Sequence, residues 1–214
     1  MQDLSKLFDA VVSGDATTAR THTELALAEN VEPLTLVNKF MAPAMDDVGR
    51  RFERCDYFVP ELLLSARAMK AALVRLRPLL TASGTEPVGR VVIGTVKGDL
   101  HDIGKNLVAA MLEGGGFEVI DLGVNVPPEK FVGTAQERNA HIISMSALLT
   151  TTMLSMRGTI DALKTAGLRD RIKVLVGGAP ITQRFADEIG ADGYGASAVD
   201  AVALARKAMG VPVT

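Results

Sequence analysis

The residues best suited to chemistry stand in "VKGDLHDIGKN", Val96–Asn106, where one histidine lies between two aspartates in a glycine-bounded turn. Metal binding, proton transfer and helix capping all fit such a turn. Asp99 and His101 are two residues apart, so in an extended segment their side chains leave from one side. The carboxylate can then accept one ring N–H and aim the other nitrogen's lone pair outward. Metal-ligating histidines are oriented in this way. Gly98 and Gly104 bracket the turn and let a large flat ligand approach the backbone closely. Blander readings compete with this one. Asp102 suits an N-cap for a helix starting at Ile103, and a lone histidine in a turn is more often a surface group.

Ordinary metal chemistry finds little support. The chain has three histidines and one cysteine, Cys55. His22 falls on a helix and His141 at a strand start, and there is no HExxH pattern. A zinc or two-metal hydrolase, a Cys-based zinc site and an internal disulfide are therefore not expected. A metal held by a single protein ligand makes sense if a macrocycle supplies the others.

The elements that must position this turn alternate in type. "RVVIGTV" reads as a buried strand and "DIGKNLVAAMLEGGG" as a helix ending at glycines. "FEVIDLG" and "PPEKFVGTAQE" are the next strand and helix. "HIISMSA" is a strand, followed by a helix over "TTTMLSMRGTIDALKTAG". "IKVLVGG" leads into a helix over "APITQRFADEIG", and "ADGYGA" into one over "SAVDAVALARKAM". Five such alternations predict a Rossmann-like, flavodoxin-like parallel sheet wrapped on both faces. Ligands bind outside the carboxyl ends of such strands. Four polar or glycine-rich turns fall there: "TVKGDLHDIG", "SMSALLTTT", "VGGAP" and "GYGAS". They should converge on one edge.

The first 80 residues read as four helices in a small antiparallel bundle. Asp3 to Val12 and Asp15 to Ala28 form two short ones, with Asp15 as N-cap. Val37, Met41, Met45, Val48 and Phe52 make one apolar stripe; Leu63, Ala66, Met69, Leu73, Leu76 and Leu80 make another. Pro60 suits a first turn. "TASGTEPVGR" reads as a linker. The expected organisation is thus a helical domain over 1–80, a linker over 81–90 and an α/β domain over 91–214.

Bulk properties limit the partners. The chain has 214 residues, 48% hydrophobic and 22% charged, with net charge −2. Nothing basic invites nucleic acid or an anionic membrane. No apolar run approaches the roughly 20 residues of a membrane span. The N-terminal "MQDLSKLFDA" lacks a signal-peptide pattern, and a reducing cytoplasm is the expected location. Tryptophan is absent and aromatics are 4%, poor material for base stacking.

Asp99-x-His101-x-x-Gly104, followed by Ser146-x-Leu148 and the pair Gly177-Gly178, resembles the cobalamin-binding signature of methionine synthase and of small corrinoid methyl-carrier proteins. "VIDLGVNVPPEKFV" and "FVPELLLSARAMKAAL" are similar to that family as well, so the resemblance spans almost the whole chain. It implies a corrinoid cofactor, methylcobalamin or a relative, with His101 as lower axial ligand to cobalt in place of the cofactor's own base. Asp99 would hold His101, and Thr152 would complete a relay. The flanking Gly98, Leu100, Asp102, Ile103 and Gly104 would contact the cofactor. Ser146, Leu148 and Thr150 would line a slot for the nucleotide tail, with Gly177, Gly178, Tyr194, Gly195 and Ala196 opposite. From sequence alone, helix capping explains Thr150 and Thr152 about as well.

The resemblance also implies that the helical half caps the methyl-bearing face of the cofactor through Phe52, Val59 and Leu62. Met41 and Met45 read as bundle core. Val59 stands where methionine synthase has a larger apolar residue. A chain of this kind would carry a methyl group on cobalt between two partners. These are a donor-specific methyltransferase and an acceptor methyltransferase of tetrahydrofolate or thiol type. A reductive activation protein is a third partner that the resemblance implies. The chain would be a methyl-carrier subunit rather than a complete enzyme alone, because no room remains for a barrel of roughly 250 residues. The linker is the natural hinge for a cap that must move. Alternatives are an adenosylcobalamin-binding mutase subunit, a cobalamin-dependent regulatory module, and a flavodoxin-like or response-regulator fold without corrinoid.

Overall fold

The computed structural model describes residues 3–82 and 87–211; Thr81 is described by its backbone alone. Contacts divide the chain into a helical unit and an α/β unit that begins at Pro87.

In the helical unit, α1 (Ser5–Ser13) ends at Gly14, which takes the left-handed conformation with φ 76°. Helix α2 (Ala16–Ala28) starts where expected, with the Asp15 carboxylate accepting the Thr17 and Thr18 N–H groups. The next helical stretch is not uniform. Helix α3 (Pro33–Leu36) passes through a π-helical turn, Val37–Met41, into α4 (Ala42–Glu53). Pro43 supplies a physical reason: it has no N–H to return to the carbonyl one turn earlier, so the ladder widens just before it. Met41, Met45 and Val48 are buried, as the stripe predicts.

Helix α5 (Val59–Ala82) carries Pro60 in its first turn. It extends into the stretch read as linker, and the strand that follows starts at Arg90. Positions 83–86 of that stretch lie outside the described residues. The buried face of α5 also differs from the expected stripe. Leu62, Ser65, Ala66, Met69, Leu73 and Leu76 are buried, whereas Leu63 is exposed. Ser65 is tolerated inside because its hydroxyl donates to the Val12 carbonyl at 3.0 Å. Tyr57 donates to the same carbonyl at 3.1 Å, fixing the end of α1 against α5.

The α/β unit is a five-stranded parallel sheet of order β2-β1-β3-β4-β5. Its strands are β1 (Arg90–Thr95), β2 (Glu118–Asp121), β3 (Ile142–Ser146), β4 (Lys173–Gly177) and β5 (Gly193–Gly195). The helices between and after them are α6 (Ile103–Gly114), α7 (Pro128–Glu137), α8 (Ser155–Thr165), α9 (Gln183–Ile189) and α10 (Ala198–Ala208). Alternate strand residues feed opposite cores. Val92, Ile143, Met145, Val174 and Val176 pack with Phe131, Met156, Ile160, Leu163 and Ile189 of α7, α8 and α9. Val91, Ile93, Ile142 and Leu175 pack with Leu112 of α6 and Ala205 of α10.

The chain leaves β1 toward one face and β3 toward the other. This creates a crevice at their carboxyl ends, the switch point where such sheets bind ligands. Two helices start later than the sequence suggests. Residues 150–154 form turns and α8 begins at Ser155; α9 begins at Gln183, with Thr182 as its N-cap. The delay after β3 keeps the Thr152 hydroxyl out of a helix terminus and free for another use.

Candidate corrinoid site

The turns expected to converge do so. A β-turn closes from Asp99 N–H to the Val96 carbonyl at 3.1 Å, with Gly98 at φ 84°. A residue with positive φ at this position favours glycine. The turn delivers Asp99 into a fully buried place beside the β3–α8 connection. There Asp99 Oδ2 accepts the Leu148 N–H at 2.8 Å and the Thr152 hydroxyl at 2.7 Å. Its Oδ1 accepts the His101 N–H at 3.1 Å and lies 2.8 Å from His101 Nδ1. The shorter contact of the Thr152 hydroxyl is with this carboxylate rather than with the Leu149 carbonyl at 3.0 Å. Capping therefore does not account for Thr152. Helix α8 has Leu154 at its N-cap position, without a side-chain cap.

Burial alone would raise the Asp99 pKa. The hydrogen bonds from Leu148, Thr152 and His101 outweigh it and hold this carboxyl well below the usual carboxylate range. An ionised carboxylate only accepts. His101 Nδ1 must then be the donor, so the neutral ring carries its lone pair on Nε2. The Asp99 side chain is 0% exposed and that of His101 is 53% exposed. The pair thus presents a fixed imidazole at the surface on a buried anionic support.

Around His101 the surface is apolar. Leu100, Ile103, Leu148, Leu149 and Leu154 are exposed large hydrophobics, Leu100 by 71% and Ile103 by 83%. A Cβ built on Gly104 would meet nothing within 4 Å. The residue is conformationally unremarkable there, so the open space in front of it is what its lack of a side chain preserves. A flat, largely apolar ligand that offers a metal to one nitrogen fits these features.

The remaining turns adjoin this one in sequence along the edge. Gly178, at φ 124°, must be glycine, because a Cβ there would stand 1.9 Å from the Ala147 carbonyl oxygen. Gly177 pairs with Gly195 in the β4–β5 register. Tyr194 is partly buried against the core, and Ala196 is exposed. Ser146 Oγ lies 3.1 Å from Thr95 Oγ1, and Thr95 donates to the His101 carbonyl at 2.8 Å. Asp102 is exposed and accepts from Asn106 Nδ2 at 3.0 Å, within the start of α6. Thr150 is exposed in the β3–α8 turn. In the helical unit Leu62 is buried, Phe52 is half-buried and Val59 is 39% exposed.

The two parts of the chain match two models, each described as a B12 binding domain, over residues 4–77 and 89–203. The chain belongs to the B12-binding corrinoid protein family. It is 46% identical to the dimethylamine corrinoid protein of Methanosarcina barkeri, over 95% of this chain and 96% of that one. It is 43% identical to a corrinoid protein of Desulfitobacterium hafniense strain Y51, over 98% and 99%. A solved cobalamin-binding protein from Desulfitobacterium hafniense DCB-2 superposes with a TM-score of 0.80 at 34% identity, covering 96% of this chain and 98% of that one. A chain of the methanol:cobalamin methyltransferase complex of Methanosarcina barkeri superposes with 0.85 at 28% identity, covering 98% and 81%. This corrinoid protein therefore takes cobalamin or a close relative as cofactor, as the signature implied.

Sequence reasoning missed several supporting residues. Thr95 was legible in principle, as a hydroxyl on the last residue of a strand that feeds the site. Lys105 is buried in the first turn of α6 and pairs with Asp121 at the end of β2. Asn125 grips the turn before His101 from outside; the resemblance covers the stretch around it but gives this residue no role. No helix among the described residues is long and apolar enough to cross a membrane.

Proposed function

We propose that this corrinoid protein binds cobalamin with His101 in place of the cofactor's own lower base and serves as a methyl carrier between methyltransferases. The observation that carries the reading is the Asp99–His101 pair, a half-exposed imidazole with its Nδ1 committed to a buried carboxylate. Among the described residues no three His, Cys, Asp or Glu side chains form a metal cluster. His101 thus offers a single nitrogen, which suits a metal whose other ligands belong to a macrocycle.

When bound, the corrinoid supplies a cobalt that accepts and yields a methyl group. The chain's own residues orient and shield. Asp99 fixes the His101 ring, and Thr152 and the Leu148 N–H fix Asp99. Asp99, 2.8 Å from Nδ1, would stabilise positive charge on the His101 ring whenever Nε2 held a proton in place of a metal. Leu100, Ile103 and Leu148 supply apolar surface, while Gly104, Gly177 and Gly178 keep backbone open or close where side chains would intrude. Phe52, Val59 and Leu62 of the helical unit are assigned to shielding the methyl face.

The methyl donor and acceptor are handled by partners. A donor-specific methyltransferase loads the carrier, an acceptor methyltransferase of tetrahydrofolate or thiol type unloads it, and a reductive activation protein restores it after oxidation. The dimethylamine corrinoid relative makes methylamines the first donors to try. Cobalamin-loaded protein, reduced with titanium(III) citrate, is mixed with a methylamine methyltransferase and ¹⁴C-methyl-labelled dimethylamine. Close to one label per protein, lost again with an acceptor methyltransferase, is the expected result. Cobalamin-loaded protein that takes up no label from methylamines or methanol with their methyltransferases, but retains an adenosyl group, would point to the mutase-type reading.

A further inference from the structure

The β2–α7 connection ties itself onto the end of β1 at two successive residues. Val126 N–H donates to the Thr95 carbonyl at 2.9 Å, and Asn125 N–H donates to the Asp99 carbonyl at 2.9 Å. Asn125 adds a second bond with its side chain, Oδ1 accepting the Gly98 N–H at 2.8 Å. One residue thus holds both Gly98 and Asp99. It does so at φ 54°, a left-handed conformation that asparagine tolerates better than most residues.

The Gly98 N–H belongs to the central peptide of the Val96–Asp99 turn. The turn's own closing bond, from Asp99 N–H to Val96, does not fix that peptide, which can face either way in a four-residue turn. Turning it over would carry the Gly98 N–H away from Asn125. Asp99 follows directly, and its own carbonyl is held by the Asn125 N–H in the same grip. Asp99 must meet Leu148, Thr152 and His101 at once, so a small rotation breaks several bonds together.

We infer that Asn125 is a positioning residue: it selects one form of the Val96–Asp99 turn and thereby aims the Asp99 carboxylate and the His101 ring. The inference deepens the proposed role of His101 and rests on it only for the cofactor readout.

Two variants separate the side-chain bond from the backbone conformation. N125G keeps the ease of positive φ and removes the acceptor; N125D keeps both. The first readout uses apoprotein at fixed pH, where ¹⁵N NMR of the His101 ring and the Leu148 amide reports the Asp99 contacts. Wild type and N125D should show a single protonated Nδ1 and a strongly shifted Leu148 amide. N125G should show averaged ring nitrogens and a Leu148 amide moved toward its solvent-exposed value. The second readout is cobalamin affinity, which N125G should weaken by about threefold to tenfold, the effect of one hydrogen bond. N125G matching wild type in both readouts overturns the inference. Equal loss in N125D and N125G also overturns it, because the acceptor would then not be the cause. H101A measured alongside keeps the questions apart. An H101A protein with unaltered cobalamin spectrum removes the axial-ligand reading, while the apoprotein NMR still decides the role of Asn125.

Discussion

Thr152 Oγ1 and Asp99 Oδ2 lie 2.7 Å apart across 53 residues of sequence. This bond joins the two loops on either side of the sheet's switch point, and it sets the carboxylate that sets the histidine. Replacing Thr152 with Val leaves a buried anion short of one donor. A hydrogen bond to a charged group contributes about 1.5–3 kcal/mol. T152V is expected to lose about that much stability in urea unfolding of the apoprotein, with T152S recovering most of it. A T152V protein as stable as wild type would show the bond to be incidental.

Acidification tests the same carboxylate with a definite sign. The Asp99 pKa is depressed in the folded protein: burial opposes ionisation, but the hydrogen bonds from Leu148, Thr152 and His101 prevail. A depressed carboxyl stabilises above its unfolded value of about 3.9 and loses that contribution as pH falls toward its folded value. The stability advantage of wild type over D99N should therefore shrink between pH 5 and pH 3, measured by urea unfolding at each pH. An advantage that grows on acidification would contradict the assigned hydrogen bonds.

Two glycines of the signature should respond in opposite ways. Gly178 has no room for a methyl group and sits at φ 124°. G178A is expected to cost at least about 2 kcal/mol, from strain and collision with the Ala147 carbonyl. Gly104 lies in the first turn of α6 with open space before it. G104A should leave the apoprotein as stable or up to about 1 kcal/mol more so, while weakening cobalamin binding severalfold. Thermal unfolding and a binding titration decide both. Unchanged affinity in G104A would mean that the ligand does not approach this backbone.

Much of this site was legible because its parts are local. The Asp99–His101 spacing gives the pair, and the alternation of strand and helix places it at a carboxyl edge. The glycine pairs mark where backbones meet. The role of Thr152 needed the structure. Residues 150–154 are turns, and nothing in "TTTMLSM" distinguishes turns from a first helical turn. Asn125 was hidden for a different reason. Its partners, Gly98 and Asp99, are brought to it by parallel pairing of β1 with β2, a tertiary relation that leaves no periodic trace. The π-helical turn before Pro43 escaped notice because a single widened turn barely moves the apolar stripe.

The lower ligand is the claim on which the proposed function depends, and absorption spectroscopy tests it directly. Cobalamin-loaded wild type is compared with H101A at the same pH and oxidation state. Ligation by His101 predicts that the mutant spectrum moves to that of cobalamin lacking an axial nitrogen, while binding is retained at higher cobalamin concentration. Identical spectra for the two loaded proteins would contradict the account.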